Sequence, residues 1–376
     1  MTVRDLVALD LSSATQVADA VRREWDDGNA VLVIDQRLPH SAKRSLVDAL
    51  GVHVTVDTNG RTSLGSKSRP MHDDDALVVA TSGTSGDPKG VVHTHFGLRA
   101  ASIASSAALG CGAEAHWLAC LPLSHIGGFG VLTRAWHTGA TLTIHDGFDA
   151  SMAATTGATH VSLVATALQR LDASTFDRIL LGGARPPSVI PPNTTITYGL
   201  TESCGGVVYD RRPIPGVSVR IADDGEVLLK GPMMMSRYSN NNVPSPIDAD
   251  GWLHTNDVGR IVDNVLEVHG RRGDMIVTGG EKVWPDAVER SLLSHQAVSE
   301  CAVAGVDDPE WGQRVTCWIV VSEGNKISLE EIRDHVAHDL PRYCAPRQLV
   351  LVEALPRTSL GKVVRRTLVE QLASNG

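Results

Sequence analysis

The chain has 376 residues, 34 basic and 43 acidic side chains for a net charge of −9, and a composition that is 42% hydrophobic and 20% charged. This is the length of two domains with a sizeable core and the balance of a soluble globular protein, without the basic footprint of a nucleic-acid binder. No apolar run approaches the roughly 20 residues that span a bilayer, and the opening MTVRDLVALDLSS lacks the basic-then-apolar pattern of a secretory signal; a cytoplasmic location is expected. Cys111, Cys120, Cys204, Cys301, Cys317 and Cys344 are scattered without a C-x-x-C pair, which predicts reduced thiols rather than a disulfide or zinc framework.

Taken in chain order, ATQVADAVRREWDDG has the periodicity of an amphipathic helix ending at Gly28. NAVLVID reads as a buried strand and SAKRSLVDALG as a helix closed by Gly51. RTSLGSKSRPMHDDD is polar and loop-like. ALVVATSGTSGDPKGVVHTH gives an apolar strand, a Gly/Ser/Thr loop and a second short strand, and FGLRAASIASSAALG is helical. HWLACLPLSHIGGFGVLTRAWHTGATLTIHD reads as strand, glycine turn, helix and strand. HVSLVATALQRL, RILLGGARP and TTITYGLTE add strand–loop and helix units. The alternation predicts an α/β architecture with parallel strands. Beyond Gly206 come short strands with D-G turns, the pattern of a β-rich lobe. After GRRGD a further α/β unit starts, which places a boundary at Arg271–Asp274. There is no internal repeat and no low-complexity segment.

Four segments carry chemistry. Thr81-Ser82-Gly83-Thr84-Ser85-Gly86-Asp87-Pro88-Lys89-Gly90 packs hydroxyls, small residues and a lysine into ten positions, a loop suited to phosphate oxygens. It is not the Walker loop, since Lys89 is followed by Gly90, nor a dinucleotide fingerprint. Tyr198-Gly199-Leu200-Thr201-Glu202 follows the apparent strand TTIT, where α/β sheets gather ligands. The tyrosine can flank a base, Thr201 can bind phosphate and Glu202 can hold Mg²⁺. Gly251–Gly259 with Gly270-Arg271-Arg272-Gly273-Asp274 offers Asp257 for ribose hydroxyls and Arg271 for the same sugar or a phosphate; read alone, it is better taken as a hairpin aspartate with surface arginines. Pro356-Arg357-Thr358-Ser359-Leu360-Gly361-Lys362 read alone is a surface loop.

Together and in this order the four segments, with PEWGQRV, resemble the adenylate-forming superfamily of acyl-CoA synthetases, luciferases and adenylation domains, from about Ala76 to Lys362. The 80 residues before the phosphate loop, the run TGGEKVWP and TESCGGVVYDRRPIPGVSVRI resemble the short bacterial o-succinylbenzoate–CoA ligases of menaquinone biosynthesis. The resemblance implies a large N-terminal α/β AMP-binding domain with a β-rich lobe (1–272) and a small, mobile C-terminal α+β domain (273–376). It implies ATP, Mg²⁺ and CoA, and two half-reactions. The carboxylate of 2-succinylbenzoate attacks the α-phosphate of ATP, and CoA then displaces AMP.

By the same resemblance, Lys362 bridges the carboxylate and ATP oxygens, Glu202 holds Mg²⁺, and Thr81–Gly90 grips the β- and γ-phosphates. Tyr198 stacks by the adenine beside Gly182-Gly183-Ala184, with Gly199 and Thr201 following, and Asp257 takes the ribose with Arg271. His125 lines the acyl pocket, with Ser203, Cys204, Gly205 and Gly206 as its floor. Gly273 is the hinge on which the C-terminal domain turns, and Val277–Trp284, including Gly279, Gly280 and Trp284, borders a pantetheine tunnel. A second substrate carboxylate calls for a cation, for which Arg134, Arg185 and Arg211 are all open. Another aryl or medium-chain acid, or a carrier-protein thiol, are the alternatives; a catalytically dead nucleotide binder disagrees with the joint presence of Lys362, Glu202, Lys89 and Asp257. A homodimer is the default assembly. His335-x-x-His338 shares a helix face but has no third metal ligand nearby in sequence, His93-x-His95 reads as packed at a strand end, and Met233-Met234-Met235 as core or pocket packing.

Overall fold

The computed structural model of the chain describes residues 4–64, 71–82, 88–183, 186–187, 189–240, 243–357 and 363–374. Its first strands, β1 (Leu6–Leu9) and β2 (Ala30–Val33), bury every side chain and pair in parallel, as continuous apolar runs covered on both faces do. Between them, α1 (Ala14–Asp26) turns Val17, Ala18, Ala20 and Val21 inward. α2 (His40–Leu50) buries Leu46 and Leu50 and stops at Gly51, whose φ of 65° is left-handed, the conformation that glycine enters without strain. β3 (Val54–Asp57) folds back in an antiparallel hairpin onto β4 (Gly60–Ser63). Arg61–Ser63, expected to be loop, is therefore strand; all of β4 is exposed at a sheet edge, so its sequence shows no apolar alternation.

β5 (Asp75–Ser82) and β6 (Pro88–Thr94) form the strand–loop–strand unit expected around the phosphate loop, as an antiparallel hairpin. α3 (His95–Leu109) follows, its first turn capped by the Thr94 hydroxyl accepting from the Gly97 N–H. Next come β7 (His116–Ala119), α4 (Ile126–Thr138) and β8 (Thr141–Ile144). Gly127 and Gly128, expected as a turn before the helix, lie in its first turn. A Cβ on Gly128 would stand 2.4 Å from the Pro122 carbonyl oxygen, so glycine serves a close approach there, not a reversal.

α5 (Ala150–Ala154), β9 (His160–Leu163), α6 (Ala165–Leu168), β10 (Arg178–Leu181), β11 (Thr194–Leu200) and β12 (Gly205–Tyr209) continue the chain. The β-rich stretch holds β13 (Arg212–Pro213), β14 (Ser218–Ile221), β15 (Glu226–Lys230), β16 (Arg237–Tyr238), β17 (Leu253–Val262) and β18 (Val265–Arg271). The C-terminal part holds β19 (Ile276–Thr278), β20 (Glu281–Val283), α7 (Pro285–Leu293), β21 (Val298–Asp308) and β22 (Gly312–Val321). α8 (Leu329–Asp339), β23 (Gln348–Leu351) and α9 (Arg365–Ser374) complete it.

Among the described residues, two seven-stranded sheets run β16-β6-β5-β2-β1-β3-β4 and β13-β12-β11-β10-β9-β7-β8. A four-stranded sheet runs β14-β15-β17-β18, and the last sheet runs β20-β19-β22-β21 with β23 beside β22. The interior pairs β7–β9, β9–β10 and β10–β11 are parallel, as expected. The β5–β6 and β11–β12 pairs, which flank the glycine-rich segments, are antiparallel, because short loops between sequential strands return the chain beside itself.

The chain divides into two compact units, Met1–Arg220 with Leu228–Thr255, and Ile221–Val227 with Asn256–Gly376. In the first, Leu118, Val161, Leu163, Ile179 and Leu181 build one buried cluster and Leu6, Leu32, Leu50 and Val78 another. In the second, α7 and α8 close over β21 and β22 through Val288, Leu292, Ile332 and Val336. There, Arg365 at the start of α9 pairs with Glu289 and Asp286 of α7 and with Asp274. Met233 and Met235 are buried packing residues, as read from the sequence; His335 bonds the Ser291 carbonyl, and the His338 side chain is exposed. Among the described residues no helix is long and apolar enough to cross a membrane, and no group of three or more His, Cys, Asp or Glu gathers as a metal site.

Candidate active site

The phosphate-loop hairpin holds Thr81 opposite Lys89 at its base. Gly83, Thr84, Ser85 and Gly86 lie outside the described residues, as do Ala184, Arg185 and Lys362. What holds the base is β16 and the residues after it. The Ser239 N–H donates to the Gly90 carbonyl at 2.7 Å. The Gly90 N–H donates to Asn240 Oδ1 at 3.1 Å, and Asn240 Nδ2 donates to the Pro88 carbonyl at 3.2 Å. A Cβ on Gly90 would lie 2.2 Å from Ser239 Oγ, so this position excludes any larger residue while β16 is in place. β16 is anchored in turn by Arg237, whose guanidinium grips Asp75 at 2.8 and 2.6 Å while Asp75 is 1% exposed. A fork of this kind is the strong form of ion pair.

β11 runs through Tyr198 and Gly199 to Leu200, and Thr201–Ser203 make a single 3₁₀ turn. Tyr198 and Gly199 are thus the last part of the strand rather than a loop beyond it, with a bulge between them. Cys204 then takes a left-handed φ of 61° before β12 returns. Ser203, fully buried, locks this turn by accepting from the Leu200 N–H at 2.8 Å and reaching the Gly205 carbonyl at 2.8 Å. The tightness explains the glycines, since a Cβ on Gly199 would stand 1.9 Å from the Gly205 oxygen. Gly182 and Gly183 directly follow the neighbouring parallel strand β10, and Thr197 Oγ1 closes on Gly182 and donates to the Leu181 carbonyl. Gly182, Gly183 and Tyr198, three of the residues expected around adenine, thus lie toward the carboxyl ends of two adjacent parallel strands.

Glu202 is tied to the phosphate-loop side of the same unit. Its backbone carbonyl accepts from the Met235 N–H at 2.8 Å, and Tyr238 Oη donates to Glu202 Oε1 at 2.9 Å. The Tyr238 ring carries the Lys89 ammonium 5.3 Å from its centroid. Tyr238 thus touches both the carboxylate and the loop lysine. The sequence reading missed it along with Arg237, Ser239 and Asn240; the polar, aromatic run Arg237–Asn240 directly after a buried methionine run was the signal available. The oxygen donors of Glu202 and Thr201 suit Mg²⁺, which takes one or two carboxylates and completes its shell with phosphate and water.

His125 is the N-cap residue of α4. Its Nε2 lies 3.1 Å from Arg37 Nη2 and 3.3 Å from Asp35 Oδ2. Burial pushes the imidazole below its ordinary pKa; the Asp35 charge opposes this and the Arg37 charge reinforces it. Burial works against ionising Asp35, but hydrogen bonds from Arg37 outweigh it and hold the carboxyl below its usual range. Of the open cations, Arg211 is exposed in a tight turn at φ 69°. Arg134 is 9% exposed, stacks 4.6 Å over Trp117, and donates from Nε to Ser105 Oγ. Its guanidinium also acts on the buried Tyr209 hydroxyl. Its charge acts on the Cys204 thiol, which burial nevertheless pushes up to about 12.

In the second unit, Asp257 and Arg271 face each other across the β17–β18 ladder, Nε to Oδ1 3.2 Å, with Asp257 7% exposed. Residues 14 apart in sequence meet here because the hairpin folds between them. Gly273 sits in the 3₁₀ turn Arg272–Asp274, with open space where a Cβ would be. Gly279 and Gly280, at φ 57° and 85°, form the two-residue turn of the β19–β20 hairpin, a backbone path that favours glycine. Trp284 caps α7 and stacks on His269 at 6.2 Å.

Comparison with known proteins agrees with this geometry. Residues 7–239 match the AMP-binding enzyme family and residues 287–362 the AMP-binding enzyme C-terminal domain. A probable 2-succinylbenzoate–CoA ligase of Mycobacterium tuberculosis is 37% identical over 350 residues, covering 85% of this chain and 91% of the relative. A 2-succinylbenzoate–CoA ligase of a Geobacillus species is 28% identical, covering 99% of this chain and 88% of the relative. The o-succinylbenzoate CoA synthetase of Bacillus subtilis, solved with the acyl-adenylate intermediate OSB-AMP, superposes with a TM-score of 0.85 at 26% identity, covering 98% of this chain and 88% of that one. The same enzyme solved with ATP and magnesium gives a TM-score of 0.85 over 98% of this chain and 90% of that one. With the nucleotide-side glycines, Tyr198, Glu202 and the hairpin lysine gathered in one unit and both family domains matched, this chain belongs to the AMP-binding enzyme family.

Proposed function

We propose that this chain is an AMP-forming acid–thiol ligase that adenylates 2-succinylbenzoate with ATP and passes the acyl group to CoA in menaquinone biosynthesis. The reading is carried by the near full-length likeness to 2-succinylbenzoate–CoA ligases, including one solved with the acyl-adenylate. A carboxylate is ionised at pH 7, so no base is needed to generate the first nucleophile. The difficulty is bringing two anions together, a repulsion of about 4 kcal/mol at 4 Å and an effective dielectric near 20. Lys89 and Lys362 supply positive charge against it, and the N–H groups and hydroxyls of Thr81–Gly86 supply fixed dipoles. Mg²⁺, when bound by Glu202 with Thr201 nearby, neutralises phosphate charge. Tyr198 and Gly182–Gly183 flank the base, and Asp257 with Arg271 takes the ribose.

Of the three open cations we assign Arg134 to the second carboxylate of the substrate. A guanidinium 9% exposed whose charge acts on Cys204 supports this assignment, because a desolvated cation gains most from an anionic partner. His125, Ser203, Cys204, Gly205 and Gly206 line the rest of the acyl pocket. Gly273 is the hinge between the adenylating and thioester-forming poses, and Gly279, Gly280 and Trp284 border the pantetheine path in the second. The domain boundary at 272/273, a cytoplasmic location and a symmetric homodimer belong to the same proposal. Pyrophosphate release and CoA-dependent AMP release across a panel of acids test it. 2-Succinylbenzoate is expected to exceed benzoate and octanoate clearly, and a preference for either would overturn the substrate assignment.

A further inference from the structure

Two residues of the N-terminal α/β segment, Asp35 and Arg37, reach His125. Arg37 donates from Nε to Asp35 Oδ1 at 2.8 Å and from Nη2 to Asp35 Oδ2 at 2.6 Å. The same Nη2 lies 3.1 Å from His125 Nε2. Asp35 Oδ2 is also near that nitrogen, but at the longer 3.3 Å. Asp35 is 10% and His125 24% exposed at the side chain. A guanidinium is a donor only and stays charged at every pH of interest. Nη2 has two N–H groups, enough for the contacts to both Asp35 Oδ2 and the imidazole. An imidazole nitrogen that accepts this bond has no proton of its own.

We propose that Arg37 is a positioning residue that selects the His125 tautomer with Nε2 unprotonated and the proton on Nδ1. Asp35 acts one step behind, fixing the guanidinium by its two-point contact. A proton on Nε2 would face the Arg37 N–H, donor against donor, to gain only the longer contact with Asp35. Protonation of both nitrogens meets the same opposition and the Arg37 charge in addition. Among the described residues, Asp35 and Arg37 are the charged groups that act on this imidazole. His125 therefore keeps a neutral ring with Nδ1–H as its single donor. The consequence for the acyl site rests on the proposal that His125 lines it, where a neutral ring leaves the substrate's carboxylates to the cations.

Nitrogen-15 NMR of the full chain labelled at histidine tests the tautomer directly, with His125 assigned by the signal lost in His125→Gln. The expected spectrum has Nε2 in the unprotonated range and Nδ1 in the protonated range at pH 7. In Arg37→Met the two assignments should move toward each other or exchange, and His125 should titrate at a higher pH than in wild type. Arg37→Lys, which keeps a charged donor, should restore part of both effects. A wild-type ring with its proton on Nε2, or an Arg37→Met spectrum and titration equal to wild type, would overturn the proposal; the wild-type spectrum decides even if the Met variant fails to fold. The acyl-site reading is tested separately. If it holds, Arg37→Met lowers kcat for pyrophosphate release about ten-fold, the loss of one charge-assisted hydrogen bond. An Arg37-dependent tautomer with unchanged pyrophosphate release would support tautomer selection while removing His125 from the acyl site.

Discussion

Replacing Tyr238 by Phe removes one hydroxyl and leaves the ring. That hydroxyl donates to Glu202 Oε1 at 2.9 Å, and hydrogen bonds to charged groups contribute about 1.5–3 kcal/mol. Both side chains are only half-buried, which places the loss near the lower bound. At about 1.4 kcal/mol per decade that is roughly a ten-fold change, the lower end of the effect usual for a residue that orients a metal ligand. The Lys89 ammonium, 5.3 Å from the ring centroid, keeps its seat because a phenyl ring offers the same face. The Mg²⁺ concentration for half-maximal pyrophosphate release should therefore rise about ten-fold in Tyr238→Phe, with little change in thermal stability. Tyr238→Leu removes the ring as well and should in addition raise the KM for ATP. An unchanged Mg²⁺ dependence in Tyr238→Phe would refute the reasoning, because Glu202 would then not be the ligand that Tyr238 orients.

Arg134→Met should raise the KM for 2-succinylbenzoate by at least ten-fold while narrowing its advantage over benzoate, measured by pyrophosphate release; an equal loss for both acids would make Arg134 a packing residue. His93 is fully buried and burial lowers its pKa from 6.5 to about 4. Between those values the unfolded chain binds a proton that the native one refuses, so stability falls as pH drops from 6.5 toward 4, by ~3 kcal/mol in all. Urea unfolding of His93→Gln across this range should show a shallower acid loss than wild type. Gly273→Ala meets open space and a backbone that does not need glycine in this conformation. Its melting temperature should be equal or slightly higher; if Gly273 is the hinge, one half-reaction slows more than the other.

The segments that announced themselves in the sequence are those whose chemistry is local. The Thr81–Gly90 loop between apolar strands, the Tyr198–Glu202 turn and the hairpin linking Asp257 to Arg271 need only short stretches of chain to be recognised. The residues that went unnoticed act across long separations. Arg237 meets Asp75 from 162 residues away, and Arg37 meets His125 from 88. β16 is two residues long, too short for any periodicity, yet it holds the base of the phosphate loop. β4 was hidden for the opposite reason: as an exposed edge strand it has no buried face to write into the sequence. The Gly127–Gly128 pair misled because glycine marks both a turn and a close approach, and only the position of the Pro122 carbonyl distinguishes them.

The account stands on one division of labour, in which Lys362 serves the first half-reaction and not the second. Lys362→Ala should abolish pyrophosphate release from ATP and 2-succinylbenzoate, yet form 2-succinylbenzoyl-CoA from supplied acyl-adenylate and CoA at close to the wild-type rate. Equal loss in the two assays, or pyrophosphate release that survives the substitution, would contradict it.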